Sequence, residues 1–252
     1  MAIGHSFIEL ESVDSTNNYA MALATAGKAT HGTLVFAHDQ WAGKGQRGRT
    51  WNSNPGANII LSAVLEPVAP LPAAFGLSVA VALACRDFFT AHAHSDVTIK
   101  WPNDIYWNDR KAGGILIENH LQGDRWAYAI AGIGININQV EFPPMARNPV
   151  SLRQITGRTY DTIGLARDLG QYLDGRYTQW ETGGAPALLE VYNTFLFRRG
   201  EEVRLRKDNA VFTTRIEGVS PQGQLLTRDV LDRSFAFGEV EWVLDAPPVA
   251  DR

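Results

Sequence analysis

Residues 39–51 read Asp39-Gln40-Trp41-Ala42-Gly43-Lys44-Gly45-Gln46-Arg47-Gly48-Arg49-Thr50-Trp51. Three glycines, three cations and two tryptophans are thus concentrated between two apolar runs, 33–37 and 58–65, that have the pattern of strands. Glycine lets the backbone approach a ligand closely, and consecutive exposed N–H groups form a nest for an anion. The segment predicts a loop between strands that holds a phosphate beside a flat ring.

Two familiar nucleotide-binding loops share part of this pattern. The spacing Gly43-x-Gly45-x-x-Gly48 matches the dinucleotide fingerprint, which must open a helix and be followed by an acid about 20 residues later. Here the loop runs into the turn-forming segment 52–56 and then a strand. A kinase glycine loop does lie between strands, but the other kinase motifs do not follow. Both are excluded, and an ordinary solvated surface loop remains the alternative.

The composition is that of an ordinary globular protein. The 252 residues are 45% hydrophobic and 20% charged, which suits one large domain and a small one. A net charge of −4 argues against general binding to nucleic acid or to a membrane surface. The single cysteine, Cys85, excludes an internal disulfide, suits the cytoplasm and is predicted to be a packed core thiol. No export signal is visible at the N-terminus.

One uncharged stretch, 67–85, tests the prediction of a cytoplasmic protein. Pro70 and Pro72 break its start, and alanine, glycine and serine dilute its hydropathy. The helical part, about 73–89, is short for a bilayer span. We therefore expect a buried helix.

The chain before residue 198 mixes strands and helices. A strand at 7–10 precedes a helix that Asp14 or Ser15 caps and Gly27 ends. An antiparallel meander of strands is predicted at 97–107, with a bend at Trp101-Pro-Asn-Asp104, and at 111–118 and 126–138, and helices are predicted at 161–180 and 185–197. The meander contains a cluster of glycines, namely Gly113, Gly114, Gly132 and Gly134. Such a cluster indicates close approach of a ligand or of another backbone, with β-bulges an equal alternative.

After residue 198 the pattern changes to short strands separated by turn signals. Five strands are predicted, at 202–206, 211–218, 223–228, 234–237 and 240–244. This number of short strands suits a small β-barrel. We therefore expect a large domain at 1–198, a small β-barrel domain at 199–246 and a frayed tail at 247–252.

Five segments, in order, carry a resemblance to a known family: Asp14-Ser-Thr-Asn17, Gln40-x-Ala-Gly-Lys-Gly-Gln-Arg-Gly-Arg-Thr-Trp51, Lys100-Trp-Pro-Asn-Asp104, Lys111-Ala-Gly-Gly114 and Gly132-Ile-Gly-Ile-Asn136. Together they resemble the biotin protein ligases, or biotin–[acetyl-CoA-carboxylase] ligases, over about 7–244. The resemblance implies an α/β (α+β) fold, with a mixed sheet and helices like the class II aminoacyl-tRNA synthetase core and a C-terminal Src-homology-like β-barrel. Because the chain begins almost at the catalytic core, we expect a ligase without the N-terminal DNA-binding domain of some relatives.

That family forms biotinyl-5′-adenylate from biotin and ATP with Mg²⁺, and then transfers biotin to one lysine of a biotin carboxyl carrier domain. A biotin carboxylate must approach the α-phosphate, so cations and backbone donors have to offset the repulsion between two anions. The resemblance thus implies biotin, ATP and the carrier domain of acetyl-CoA carboxylase or a similar enzyme as partners, and no DNA. No direct metal ligand is assigned, and Mg²⁺ would accompany ATP near Asn103. Several relatives pair into homodimers through their sheets.

By resemblance, the site residues form three groups. The groups expected to carry the chemistry are Lys111, Asp104, Arg49 and Arg47. The biotin-binding positions are Ser15, Thr16, Asn17, Gln40, Lys44, Gly45, Gln46, Lys111, Gly113 and Gly114. The ATP-binding positions are Arg47, Arg49, Trp51, Asn58, Asn103 and Asn136, with Trp51 placed to stack on adenine. Asp104 is the candidate to orient the carrier lysine or take its proton, although a turn-capping aspartate is the simpler interpretation outside this motif.

One position departs from the family pattern. Many members have arginine where this chain has Gln46, at a position associated with holding the adenylate. A neutral amide lacks a charge-assisted bond, so we predict weaker retention of the intermediate unless Lys44 or Arg47 substitutes.

Two rival functions remain. A lipoate or octanoyl ligase shares the fold, but its usual Arg-Arg-x-x-Gly-Gly-Gly loop is absent. A non-catalytic biotin or nucleotide sensor would explain Gln46, but it would leave Lys111, Arg49 and Asp104 without a task.

Overall fold

The computed structural model describes residues 1–144, 146 and 148–244. These residues form a seven-stranded mixed sheet with helices on its faces, followed by a five-stranded antiparallel sheet. The mixed α/β architecture and the small C-terminal β-domain agree with the sequence prediction. The predicted tail at 247–252 lies outside the described residues, as do the last two residues of the predicted second domain.

The large sheet contains β1 (Ser6–Val13), β2 (Thr33–Gln40), β3 (Ile59–Leu65), β4 (Val97–Lys100), β5 (Asp104–Trp107), β6 (Arg110–Gln122) and β7 (Arg125–Ile135). Their order is β1-β2-β3-β7-β6-β5-β4. β1 and β2 are parallel and every other neighbouring pair is antiparallel. A parallel pair requires a crossover connection, which the first helix supplies. β2 includes Asp39 and Gln40, and the predicted loop follows it from Trp41 onward.

The described part of the chain forms the α-helices α1 (Thr16–Thr25), α2 (Ala74–Ala93), α3 (Leu152–Thr156), α4 (Thr162–Gln179) and α5 (Ala185–Thr194). α1 packs on β2, β3 and β7, whereas α2 lies on the opposite face of the sheet, beneath α4 and α5. By length and composition, the segment Leu71–Ala93 could cross a membrane, yet half of it is buried inside the domain. Cys85 lies in this helix and is fully buried, and burial raises the pKa of its thiol. The predictions of a buried helix and a core thiol are confirmed.

Two helix ends and one short helix differ from the sequence expectation. Ser15 is the N-cap of α1, but its side chain makes no capping hydrogen bond. α5 ends at Thr194 rather than near 197, because the next residues extend and pair with β4, where Ile99 N donates to Phe195 O at 2.8 Å. α3 was not predicted, although Ser151 and Gln154 form a reciprocal capping box that is readable in sequence.

The central strands β6 and β7 present two different faces. Side chains alternate along a strand, so residues two apart share a face. On the side of α2, Ile115, Ile133 and Ile135 belong to the main hydrophobic core. On the side of α1, the paired residues Gly114 and Gly134 have no side chain, and the ring of Trp51 lies over them. We call this side of the two strands the open face, because its glycines leave room for side chains from elsewhere in the chain.

The small sheet contains β8 (Glu202–Lys207), β9 (Ala210–Val219), β10 (Leu225–Arg228), β11 (Asp232–Phe235) and β12 (Glu241–Trp242), in the order β11-β10-β9-β8-β12. It contacts the large sheet at the turn between β4 and β5, where the Trp101–Pro102 peptide is cis. Trp101 Nε1 donates to Gly223 O at 3.0 Å, and Trp242 Nε1 donates to Trp101 O at 3.3 Å. These bonds fix the small sheet beside Asn103 and Asp104.

Candidate active site

A cleft of about 750 Å³, including its open mouth, lies on the α1 side of the sheet. The start of α1, the end of β2, the glycine-rich loop and the glycines of β6 and β7 surround it. Most of the predicted site residues line it, namely Ser15, Thr16, Asn17, Gln40, Lys44, Gly45, Gln46, Arg49, Trp51, Asn103, Asp104, Lys111 and Gly114. Residues from four distant parts of the sequence thus share one cavity.

Two predicted nucleotide-binding asparagines lie outside this lining. Asn58 is 1% exposed, donates from Nδ2 to Gln139 Oε1 at 2.7 Å and accepts from Ile137 N at 2.8 Å. Asn136 is also buried, and its Nδ2 donates to Val150 O at 3.1 Å. Both amides are engaged in tying the segment after β7 to the sheet. Their predicted role with ATP is not tested by this arrangement.

Arg47 and Gly113 also lie outside the lining. Arg47 has a left-handed φ of 57° at the tip of the loop and donates from Nη1 to Gly238 O at 3.2 Å, in the small domain. Gly113 faces the other way, where an added Cβ would lie 2.8 Å from Gly134 O. In this structure Arg47 therefore connects the loop to the small domain.

The loop itself is a compact hairpin. Lys44 and Thr50 form a β-bridge, Gly45 N donates to Arg49 O at 2.7 Å, and Trp51 N donates to Gly43 O at 2.9 Å. The N–H groups of Gly45 and Trp51 are therefore used within the loop, whereas an anion-binding nest would leave such N–H groups free to bind an anion. The conformation is thus more closed than the glycine content suggests.

Lys111 and Asp104 form the closest ion pair of the cleft. Lys111 Nζ lies 2.6 Å from Asp104 Oδ1, with both side chains partly exposed. The two residues meet because β5 pairs with β6 and a register shift follows Ile105. The cleft therefore holds a cation and a carboxylate at one end, both accessible to a ligand.

Trp51 lies over Gly114 and Gly134, which form the glycine floor of the cleft. A Cβ added to Gly134 would overlap its indole ring, and one added to Gly114 would lie 3.4 Å from the ring. Lys111 Nζ is 5.8 Å from the ring centroid. Trp51 Nε1 is buried and has no hydrogen-bond partner among the described residues. These two glycines are in register, so they serve close approach of a side chain rather than β-bulges.

At the other end of the cleft, the first turn of α1 is held by a polar network. Thr16 N donates to Gln40 Oε1 at 2.9 Å. Ser62 Oγ donates to Asn17 Oδ1 at 2.6 Å and lies 2.8 Å from Thr16 Oγ1. Asn17 occupies the space above Gly132, where an added Cβ would overlap its amide. Gly132 is thus also explained by the close approach of a side chain.

Beside this network, two successive hydrogen bonds connect a lysine to an aspartate through an asparagine. Lys44 Nζ donates to Asn18 Oδ1, and the Asn18 amide donates to the Asp14 carboxylate. That hydrogen bond is the main cause that lowers the pKa of Asp14, to which the charge of Lys44 adds. The predicted capping residue Asp14 therefore binds a side chain of the first helical turn.

Sequence reasoning missed several residues of this site. Ser62 and Glu118 bond to Asn17, and Ile60 and Leu116 line the cleft. Leu116 and Glu118 could have been predicted from the sequence, because residues two and four positions after Gly114 on a strand lie on the same face. Ser62 and Ile60 required the pairing of β3 with β7, which the sequence does not state.

Comparison with known proteins agrees with this geometry. The biotin/lipoate A/B protein ligase family matches residues 9–136. The bifunctional ligase/repressor BirA of Bacillus spizizenii is 34% identical over 227 residues, which are 89% of this chain and 70% of that protein. The chain belongs to the biotin/lipoate protein ligase family. The ligase motifs quoted from the sequence lie almost entirely inside the matched range.

Two further relatives show how much of the family fold is present. The biotin–[acetyl-CoA-carboxylase] ligase of Paracoccus denitrificans is 31% identical over 225 residues, or 87% of this chain and 92% of that protein. The structure of the Aquifex aeolicus biotin protein ligase in complex with biotin and ATP has a TM-score of 0.79 and 25% identity, covering 94% of this chain and 98% of that one. The ligase fold therefore extends over both sheets.

Proposed function

We propose that this chain is an ATP-dependent biotin protein ligase, which forms biotinyl-5′-adenylate and transfers biotin to a lysine of a biotin carboxyl carrier domain. The observation that carries the proposal is the single cleft in which Lys44, Arg49 and Lys111 surround a glycine floor, with Asp104 beside Lys111. Two anions must meet in the first step, and fixed cations in a partly enclosed site offset their repulsion. The ligase names of the relatives support the same reaction.

In the first step, a carboxylate oxygen of biotin attacks the α-phosphorus of ATP and pyrophosphate leaves. We assign Lys111 and Arg49 to the charge that develops on the phosphate, since both line the cleft. The polar network at the start of α1 suits the ureido ring, and the glycine floor suits a flat group beside Trp51. Arg47 would act from the rim, where it contacts the small domain.

In the second step, the carrier lysine attacks the acyl carbon and AMP leaves. The attacking amine must be neutral, so a carboxylate that accepts its proton favours the step. Asp104 is our candidate, because it lines the cleft and also the adjoining opening toward Phe237 and Trp242. We assign catalysis to residues 1–198 and treat 199–246 as the small domain that borders this opening.

Mg²⁺ would enter with the phosphates of ATP. The described residues contain no group of three His, Cys, Asp or Glu side chains suited to hold a metal by themselves. Mg²⁺ commonly uses one or two protein oxygens together with phosphate oxygens, and Asp104 and Asn103 offer such oxygens here. Bound there, it would neutralise phosphate charge during the first step. Cytoplasmic location, the absence of a DNA partner and pairing into a homodimer are further parts of the proposal.

The decisive experiment mixes the protein with ATP, Mg²⁺, a carrier domain and either labelled biotin or labelled lipoate. Biotin should become covalently attached to the carrier only when ATP is present, and lipoate should not. A carrier whose acceptor lysine is replaced by arginine provides the matched control. Attachment of lipoate instead would favour the rival ligase, and binding of biotin without transfer would favour the sensor.

A further inference from the structure

Glu118 lies on the open face of β6, two residues beyond Leu116, and belongs to none of the ligase motifs. Its Oε2 accepts a hydrogen bond from Asn17 Nδ2 at 2.7 Å, and its Oε1 lies 3.7 Å from Lys44 Nζ. Its side chain is 34% exposed and that of Lys44 is 44% exposed. One carboxylate thus joins the first turn of α1 and the glycine-rich loop to the sheet.

The contact with Asn17 fixes the orientation of an amide that lines the cleft. Asn17 Nδ2 donates one hydrogen to Glu118 and the other to Leu116 O at 3.3 Å. Asn17 Oδ1 accepts from Ser62 at 2.6 Å. Because both amide hydrogens and the oxygen are engaged, a flipped amide would face the Leu116 carbonyl and the carboxylate with its oxygen.

The contact with Lys44 holds the base of the loop. Lys44 bridges to Thr50 through its backbone, so its position sets where the hairpin leaves β2. Its ammonium is shared between Asn18 on α1 and Glu118 on β6. Without Glu118, the loop would be attached to α1 by the Asn18 bond but would lose its side-chain attachment to the sheet at this point.

We propose that Glu118 is a positioning residue, which holds Lys44 and Asn17, and with them the glycine-rich loop and the start of α1, in the arrangement that surrounds the cleft before a ligand enters. Its importance for biotin rests on the proposed function. If the loop already surrounds the cleft, biotin does not have to order it on binding. The apparent affinity for biotin decreases when a smaller fraction of the molecules has the loop in this position. Glu118 therefore acts on the binding of biotin rather than on the chemical step.

The test compares Glu118→Gln, Lys44→Met, the double variant and Glu190→Gln, a control that removes an exposed carboxylate from α5. Glutamine keeps one acceptor oxygen for Asn17 and replaces the charged oxygen that faces Lys44 with a neutral NH2 group. The loop contains two tryptic sites that survive in every variant, after Arg47 and after Arg49. Limited trypsinolysis without ligand, read by mass spectrometry, reports how often the loop opens, since cleavage tracks the open population when reclosing is fast.

In Glu118→Gln we expect the equilibrium constant for loop opening to rise about threefold, which is the range for a partly exposed ion pair, so cleavage at these sites should rise by up to threefold. Lys44→Met should rise similarly, and the double variant should rise no further than Lys44→Met alone. Glu190→Gln should match the wild type. Wild-type cleavage in Glu118→Gln, or effects that multiply in the double variant, would overturn the proposal.

A kinetic measurement separates positioning from a general structural role. The KM for biotin should rise in Glu118→Gln with kcat unchanged, because only the fraction of placed loops changes, and the rise in cleavage multiplied by the rise in KM should be about threefold. A fall in kcat with KM unchanged would overturn the proposal. A wild-type protein that transfers no biotin refutes the proposed function instead, and the proteolysis comparison, which needs no activity, then decides on Glu118.

Discussion

Where β6 and β7 border the cleft, one face carries buried isoleucines and the other carries glycines. On the face toward α2, Ile115 and Ile133 are almost fully buried in the main core. On the face toward α1, glycines occupy the matching positions, and Trp51 and Asn17 enter the space that they leave. Because strand side chains alternate, these strands separate packing from chemistry where they border the cleft, whereas farther along β7 Ile130 packs under α1. Changes on the α2 face should therefore cost stability, and changes on the cleft face should cost ligand binding or rate.

The largest effect is expected for Lys111→Ala, on the cleft face. Removing a cation that stabilises the charge of the transition state should lower the rate of adenylate formation by about 10²–10³-fold. Pyrophosphate release in a single turnover measures this rate. The midpoint of thermal unfolding should change little, and Lys28→Ala, at an exposed position after α1, provides the control. A loss of less than about tenfold would remove Lys111 from its assigned role.

On the opposite face, Leu61→Ala should mainly destabilise the fold. Leu61 is 1% exposed within the core, and truncating such a leucine lowers the free energy of unfolding by about 2–5 kcal/mol through lost burial and a residual cavity. Urea denaturation measures the loss. The KM for biotin, measured well below the unfolding midpoint, should stay at the wild-type value. A parallel rise in KM would show that the two faces are not independent.

Gly134→Ala tests the open face by adding a methyl group at the position that Trp51 covers. The added methyl would overlap the Trp51 ring, and relieving such an overlap typically costs about 1–3 kcal/mol. We expect the KM for biotin to rise about tenfold, with the change in tryptophan fluorescence that a displaced indole produces. Gly175→Ala in α4 is the matched control, since its added methyl meets no atom within 4 Å. An unchanged KM in Gly134→Ala would mean that the space above this glycine is not used.

The smallest effect is expected at Gln46, at the edge of the cleft, where a cation replaces an amide. Gln46→Arg should slow the dissociation of the adenylate about fivefold, which corresponds to the roughly 1 kcal/mol between a neutral and a charge-assisted hydrogen bond. Release of labelled adenylate into excess unlabelled biotin and ATP measures this rate. Gln171→Arg, on the exposed side of α4, adds the same charge elsewhere. If both variants release the adenylate at the wild-type rate, Gln46 does not weaken retention.

The sequence alone determined the parts that depend on local residue order. The concentration of glycine and cations in residues 39–51, the strands on either side of them, the buried helix and the five short C-terminal strands follow from propensity and periodicity. The ordered motifs also sufficed to indicate the ligase family and most of the residues that line one cleft. These features can be predicted from the sequence because they depend on residue types and backbone preferences within a few consecutive residues.

Only the tertiary structure decided which side chains meet. It turned Arg47 to the small domain, used Asn58 and Asn136 to fasten backbone segments, and brought Glu118 to Lys44 across 74 positions of sequence. Each of these contacts depends on strand order and register, or on how the second sheet meets the first. Those are fixed by the packing of the whole chain, because hydrogen-bonded strands can place residues from any part of the sequence side by side.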